Sequence, residues 1–101
     1  MGCGFLEAVY QECLAREFDR HGIEFAAQHP LRLTYRGERL QQWFVADFVC
    51  FSQIIVELKS VRAIAPEHRA QIINYLKCSG LKVGLLVNFG AKSAEIERFA
   101  A

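Results

Sequence analysis

The sequence predicts an α/β fold, a mixed sheet flanked by helices, on three observations. Two stretches with helical spacing each run up to a glycine, Gly22 and Gly80, the residue favoured just past a helix end. Between them lie three extended segments in meander order, and a short apolar strand follows the second helix. The third extended segment, Ile54-Ile55-Val56-Glu57-Leu58-Lys59, is apolar enough to be a buried strand yet carries two charges. Burying either charge is costly unless it is paired or holds a metal, so this strand is the first place to expect a site.

The bulk numbers narrow the classes. A chain of 101 residues suits one domain, residues 1–101, with a single core. Apolar residues make up 52% and charged residues 23%, which excludes a disordered chain. The net charge of +1 gives no global pull toward nucleic acid or membrane, so phosphate binding must come from a local basic patch. Cys3, Cys13, Cys50 and Cys78 form no C-x-x-C pair and no zinc pattern with a histidine. They read as reduced thiols packed in the core of a cytoplasmic protein. No signal peptide is visible at the start, and no apolar run approaches the ~18 residues of a membrane span.

The first helix is expected from Gly4 to about His21, with Phe5, Leu6, Val9, Tyr10, Cys13, Leu14 and Phe18 on a broad apolar arc. Glu7 falls at the edge of that arc. A strand from His29 to Tyr35 follows, with Pro30 marking an edge or a strand beginning. Arg36-Gly37-Glu38 is the turn. The next strand, Leu40 to Cys50, is apolar on both faces from Phe44 onward except at Asp47, as a covered central strand would be. With Phe51-Ser52-Gln53 as a three-residue hairpin loop, Cys50 pairs with Ile54 and Asp47 falls opposite Glu57, their Cβ atoms ~5 Å apart. Two carboxylates so close repel, and one must keep a proton unless a cation lies between them.

Pro66 opens the second helix, which runs to about Ser79. His68, Gln71 and Tyr75 share one stripe of it, with Ile73 and Leu76 packing elsewhere; His68 reads as a helix-start residue. Lys82 to Asn88 is a buried strand. Ser93 to Phe99 fits either a last helical turn or an edge strand. Arg32, Arg36 and Arg39 in the first hairpin, with Arg62 and Arg69 after the third strand, are the arginines available to phosphates.

Glu-x-Lys alone is a weak signal. Its conjunction with an acid inside a buried strand is stronger, because paired carboxylates suit a hard divalent cation that also takes carbonyl and water oxygens. The carbonyl of Leu58 offers a further ligand. Lys59 would orient a water or hold a phosphate oxygen for in-line attack on a phosphodiester.

Asp47 with Glu57-Leu58-Lys59 resembles the active-site signature of the PD-(D/E)XK nuclease superfamily. Gly4-Phe5-Leu6-Glu7-Ala8-Val9-Tyr10 further resembles the motif of the GxxExxY proteins, and the similarity continues through Gln71 to Leu76 and Gly84 to Gly90. The resemblance implies a restriction-endonuclease-like αβββαβ core and a metal-dependent nuclease hydrolysing nucleic acid. It implies Asp47, Glu57 and Lys59 as catalytic residues, with Asp47, Glu57 and the Leu58 carbonyl on Mg²⁺ and Mn²⁺ as a substitute. Glu7, Gln71 and Tyr75 would line the site; apart from the resemblance, Arg62 and Arg69 near it are the residues offered to nucleic-acid phosphate. The implied partner is nucleic acid, DNA before RNA, with no membrane. Ala46 stands where the superfamily's name has proline. The chain also begins almost at its Gly-x-x-Glu motif, where similar proteins have an additional N-terminal helix, so an uncovered apolar face would favour a homodimer. The alternative is a catalytically silent nuclease-fold module that binds nucleic acid or a protein partner.

Overall fold

The computed structural model describes residues 3–101, with side chains from Leu6 onward; the Phe5 and Cys3 side chains assigned above lie outside the described residues. The chain runs α1 (Cys3–Arg20), β1 (Phe25–Tyr35), β2 (Glu38–Cys50), β3 (Ile54–Lys59), α2 (Pro66–Ser79), β4 (Val83–Asn88) and β5 (Glu95–Ala100). The five strands form one sheet in sequence order. Only β3 and β4 are parallel, and α2 is the crossover between them. The sheet is therefore mixed and carries a helix on each face, as the sequence predicts.

Each face has its own core. Ile55 of β3 clusters with Leu76 of α2, and Leu86 of β4 with Ile72, which puts α2 on one side. Val56 and Leu58 cluster with Tyr10, Leu14 and Phe18, which puts α1 on the other. The odd and even residues of β3 thus serve opposite layers. Gly84 lets α2 come close to β4: a Cβ there would lie 2.9 Å from Ile72 Cδ1. Gly80 caps α2 at φ 79°, its N–H donating to the Leu76 carbonyl at 3.2 Å.

Several boundaries and burials differ from the sequence reading. β1 starts at Phe25 rather than His29, and Pro30 sits within it. That is tolerable because β1 is a sheet edge, where no neighbour asks for the missing N–H. The segment 93–99 resolves as strand β5, antiparallel to β4. β2 is covered on both faces only from Ala46 onward, since Trp43 is 55% and Val45 48% exposed. On α2 it is Ile72 with Leu76 that is buried, while Ile73 is exposed. Leu6 and Val9 of α1 are also exposed, because a single helix leaves the flanks of that face open. Among the described cysteines only Cys50 is buried; Cys13 is exposed and Cys78 half-buried.

Candidate active site

The site is built by the β2–β3 hairpin. Phe51 and Ser52 turn the chain with φ 55° and 57°, and the Gln53 N–H donates to the Cys50 carbonyl at 3.0 Å. Cys50 pairs with Ile54, Val49 with Ile55 and Phe48 with Val56, as the three-residue loop requires. There the ladder stops. One step further the same register sets Asp47 against Glu57, and side chains replace the backbone bonds. Asp47 Oδ2 accepts the Leu58 N–H at 2.8 Å, and Glu57 Oε1 accepts the Asp47 N–H at 3.4 Å.

The ladder fails here for a structural reason. Phe44 and Ala46 pack on the α2 side, whereas Phe48 and Cys50 pack on the α1 side, although all four are even-numbered. A strand that changes face carries an irregularity, and it lies at Asp47. Gln28, which the β1–β2 register places against Asp47, is skipped in that ladder and sits at φ 49°. Beyond this point β2 runs on with β1 as a two-stranded arm, and the ends of β2 and β3 part.

The electrostatics follow. Burial pushes the Glu57 carboxyl from its ordinary 4.5 up to about 8, with the charge of Asp47 and a side-chain hydrogen bond to it adding to the rise. Lys59 pulls the other way but does not cancel it. Asp47 Oδ1 and Glu57 Oε2 accept no backbone N–H among the described residues. The Lys59 carbonyl accepts the Phe89 N–H at 2.9 Å on the β4 side. Carbonyls alternate along a strand, so that of Leu58 points to the opposite side, into the gap where the β2 ladder has ended. Two crowded carboxylates and one carbonyl at the mouth of a gap suit a divalent cation, which would replace the retained proton. Among the described residues no third His, Cys, Asp or Glu side chain joins them, so water would complete the shell.

With this geometry in view, the comparison with known families is decisive: the description of the PD-(D/E)XK nuclease superfamily matches residues 1–99. The chain belongs to that superfamily. No curated protein and no solved structure matches it. The mixed five-strand sheet between two helices is the superfamily's restriction-endonuclease-like architecture.

Around Asp47, Glu57 and Lys59, the structure sorts the other site candidates. Glu7 does reach this end of β3, but its Oε1 accepts the Ser60 N–H at 3.2 Å. One turn on, Tyr10 stacks on Phe89 with centroids 4.2 Å apart and planes 6° apart. The Glu and Tyr of the Gly-x-x-Glu-x-x-Tyr motif thus fasten α1 to the segments that leave β3 and β4. Gln71 and Tyr75 pair with each other, Nε2 to hydroxyl at 2.9 Å, and Tyr75 stacks on Phe44 at 3.5 Å. No hydrogen bond joins either to Asp47 or Glu57 among the described residues. His68 Nδ1 accepts the Ala65 N–H at 3.0 Å, which makes it a helix-start residue as expected. Arg62 is exposed in the segment after β3. Arg69 is not free in the same way: its guanidinium makes a two-pronged bond to Glu97 of β5 at 2.9–3.1 Å.

Sequence reasoning missed Asn88 and Gly90. Asn88 is fully buried; its Oδ1 accepts the N–H groups of Val61 and Gly90 at 3.0 Å, and its Nδ2 donates to Glu95 at 2.9 Å. Gly90 lies against the same segment, where a Cβ would collide with the Val61 backbone. Together they hold Ser60 and Val61, and hence the exit of the Lys59 strand. A lone Asn closing the apolar run Leu85-Leu86-Val87 was the available signal, since a buried amide must be satisfied.

Proposed function

We propose that this chain is a metal-dependent nuclease that hydrolyses phosphodiester bonds of nucleic acid, of the GxxExxY type within its superfamily. The observation that carries the reading is the Asp47–Glu57 pair at the parted ends of β2 and β3. A fold that needed only stability would be served better there by apolar residues. Asp47 Oδ1, Glu57 Oε2 and the Leu58 carbonyl are the groups that would hold Mg²⁺, or Mn²⁺ in its place. Bound there, the ion would supply positive charge to the phosphoryl oxygens of the in-line transition state. Asp47 also fixes the backbone at Leu58 through its other oxygen, so one residue would serve both the cation and the strand that presents Lys59. Lys59 holds the attacking water or a non-bridging phosphate oxygen. Glu7, Asn88 and Gly90 position this strand end; Gln71 and Tyr75 form the wall on the α2 side. Arg62 is the exposed cation nearest in sequence to Lys59 and is assigned to substrate phosphate.

The test is incubation of purified protein with single- and double-stranded DNA and RNA, in Mg²⁺, in Mn²⁺ and in EDTA, beside Lys59→Ala. Metal-dependent cleavage that Lys59→Ala removes supports the reading. Metal-independent or absent cleavage by well-folded protein overturns it in favour of a binding module.

A further inference from the structure

The arm that β1 and β2 form beyond Asp47 is used by only one of its faces. Phe44 stacks on Tyr75 of α2, and Thr34 donates its hydroxyl to the Cys78 carbonyl at 3.3 Å, so the α2 face is closed. The other face carries Trp43 at 55% exposure and Val45 at 48%, left open to solvent among the described residues. Arg32, the cross-strand partner of Trp43, lies with its guanidinium carbon 4.5 Å from the indole centroid. Arg32 is half-buried, and its Nε is buried with no hydrogen-bond partner among the described residues, so stacking on the indole is what holds the side chain in place. At the tip, Tyr35 is 60% exposed beside Arg36, whose guanidinium carbon lies 5.5 Å from its ring.

Open aromatic faces flanked by guanidinium groups have one characteristic ligand chemistry: a nucleobase stacks on the ring while arginine meets the phosphate beside it. The charge agrees. The arm holds Arg32, Arg36 and Arg39 against the single acid Glu38, on a chain whose net charge is only +1. Along β2, Trp43 is four residues before Asp47, about 13 Å at ~3.3 Å per residue. It lies on the face away from α2, whereas Glu57 shares the α2-side face of β3 with Ile55, so a strand seated on Trp43 would pass round the edge of the arm to reach the acid pair.

We propose that the Trp43–Arg32 face of the arm is a stacking platform for an unpaired base, and that the substrate is nucleic acid with single-stranded nucleotides beside the bond to be cut. Bases in a duplex are stacked on one another and cannot occupy it. The inference rests on the nuclease reading for the identity of its ligand, but not on catalysis.

Trp43 is the one tryptophan in the sequence, so its emission reports on this face alone. The experiment titrates the protein with a thymidine 12-mer, a uridine 12-mer and a blunt hairpin duplex, in EDTA and again in Ca²⁺. Tryptophan emission and the anisotropy of end-labelled strands are read together, for wild type, Trp43→Ala and Arg32→Gln. Saturable quenching by a single strand but not the duplex is expected. Single-strand affinity should fall about tenfold in Trp43→Ala and less in Arg32→Gln, with duplex affinity unchanged. Single-strand binding without quenching, equal in wild type and Trp43→Ala, overturns the platform and leaves the nuclease reading standing. Emission that shifts with protein concentration alone, in step with a dimer in sedimentation, also overturns it, because a second copy then covers the face. If no nucleic acid binds and none is cut in Mg²⁺, both readings fall together.

Discussion

Asp47 accepts the backbone N–H of Leu58 at 2.8 Å, so a carboxylate takes the place of a main-chain carbonyl at the point where β2 and β3 separate. The bond orients Asp47 beside Glu57 and opens the gap at once. Its consequence in the metal-free protein is electrostatic. Glu57 keeps its proton to about pH 8 in the folded chain but loses it near 4.5 when unfolded. Between those values the folded state binds more protons, so stability falls as pH rises from about 4.5 through 8. The expected loss is at most about 5 kcal/mol, at about 1.4 kcal/mol for each pH unit between roughly 4.5 and 8. Urea denaturation in EDTA at pH 5 and pH 8.5 should show it, and Glu57→Gln should flatten the slope.

Asn88 and Gly90 should govern stability and activity together. Asn88→Ala strips the acceptor from two N–H groups and should cost about 2–4 kcal/mol. Gly90→Ala drives a methyl into the Val61 backbone and should cost at least about 2 kcal/mol. Each is read by thermal melting. Because both hold the segment after Lys59, variants that remain folded should lose turnover beyond their loss of stability.

The two arginines offered to phosphate should separate. Arg62→Ala should weaken nucleic-acid binding and lower its salt dependence by roughly one counterion. Arg69→Ala should leave binding unchanged and lower the melting temperature, since its guanidinium is committed to Glu97. A salt series by anisotropy distinguishes the two.

Tyr75 tests the α2 wall. Tyr75→Phe keeps the stack on Phe44 and should change stability by less than about 1 kcal/mol. A fall in turnover at unchanged melting temperature would assign the hydroxyl, together with Gln71, to the substrate. Unchanged turnover would leave Tyr75 a packing residue.

Much of this was legible in the sequence, and the reasons are physical. The three-residue loop fixes the β2–β3 register, and register is what brings Asp47 to Glu57. Gly80 and Pro66 bracket α2 because their backbone preferences are strong. The change of face at Asp47 was not legible, since a run apolar on both faces from Phe44 to Cys50 except at Asp47 gives no hint of where an irregularity falls. Nor was the fate of Arg69, whose partner Glu97 lies on a strand whose type the pattern left open. Glu7 was placed at the correct end of β3, but only coordinates show its carboxylate on Ser60. The exposure of Trp43 and Val45 follows from β3 being shorter than β2, and strand lengths are poorly fixed by pattern.

The most direct test of the central claim is calorimetric titration of Mg²⁺ and of Mn²⁺ into the wild-type protein, Asp47→Ala and Glu57→Ala at pH 7. The account predicts saturable binding to the wild type with release of about one proton, carried by Glu57 and seen as a heat that varies with buffer ionisation. Both variants should lose it while still folded. A folded wild type that binds neither ion, with or without nucleic acid, or variants that bind as the wild type does, would contradict the account.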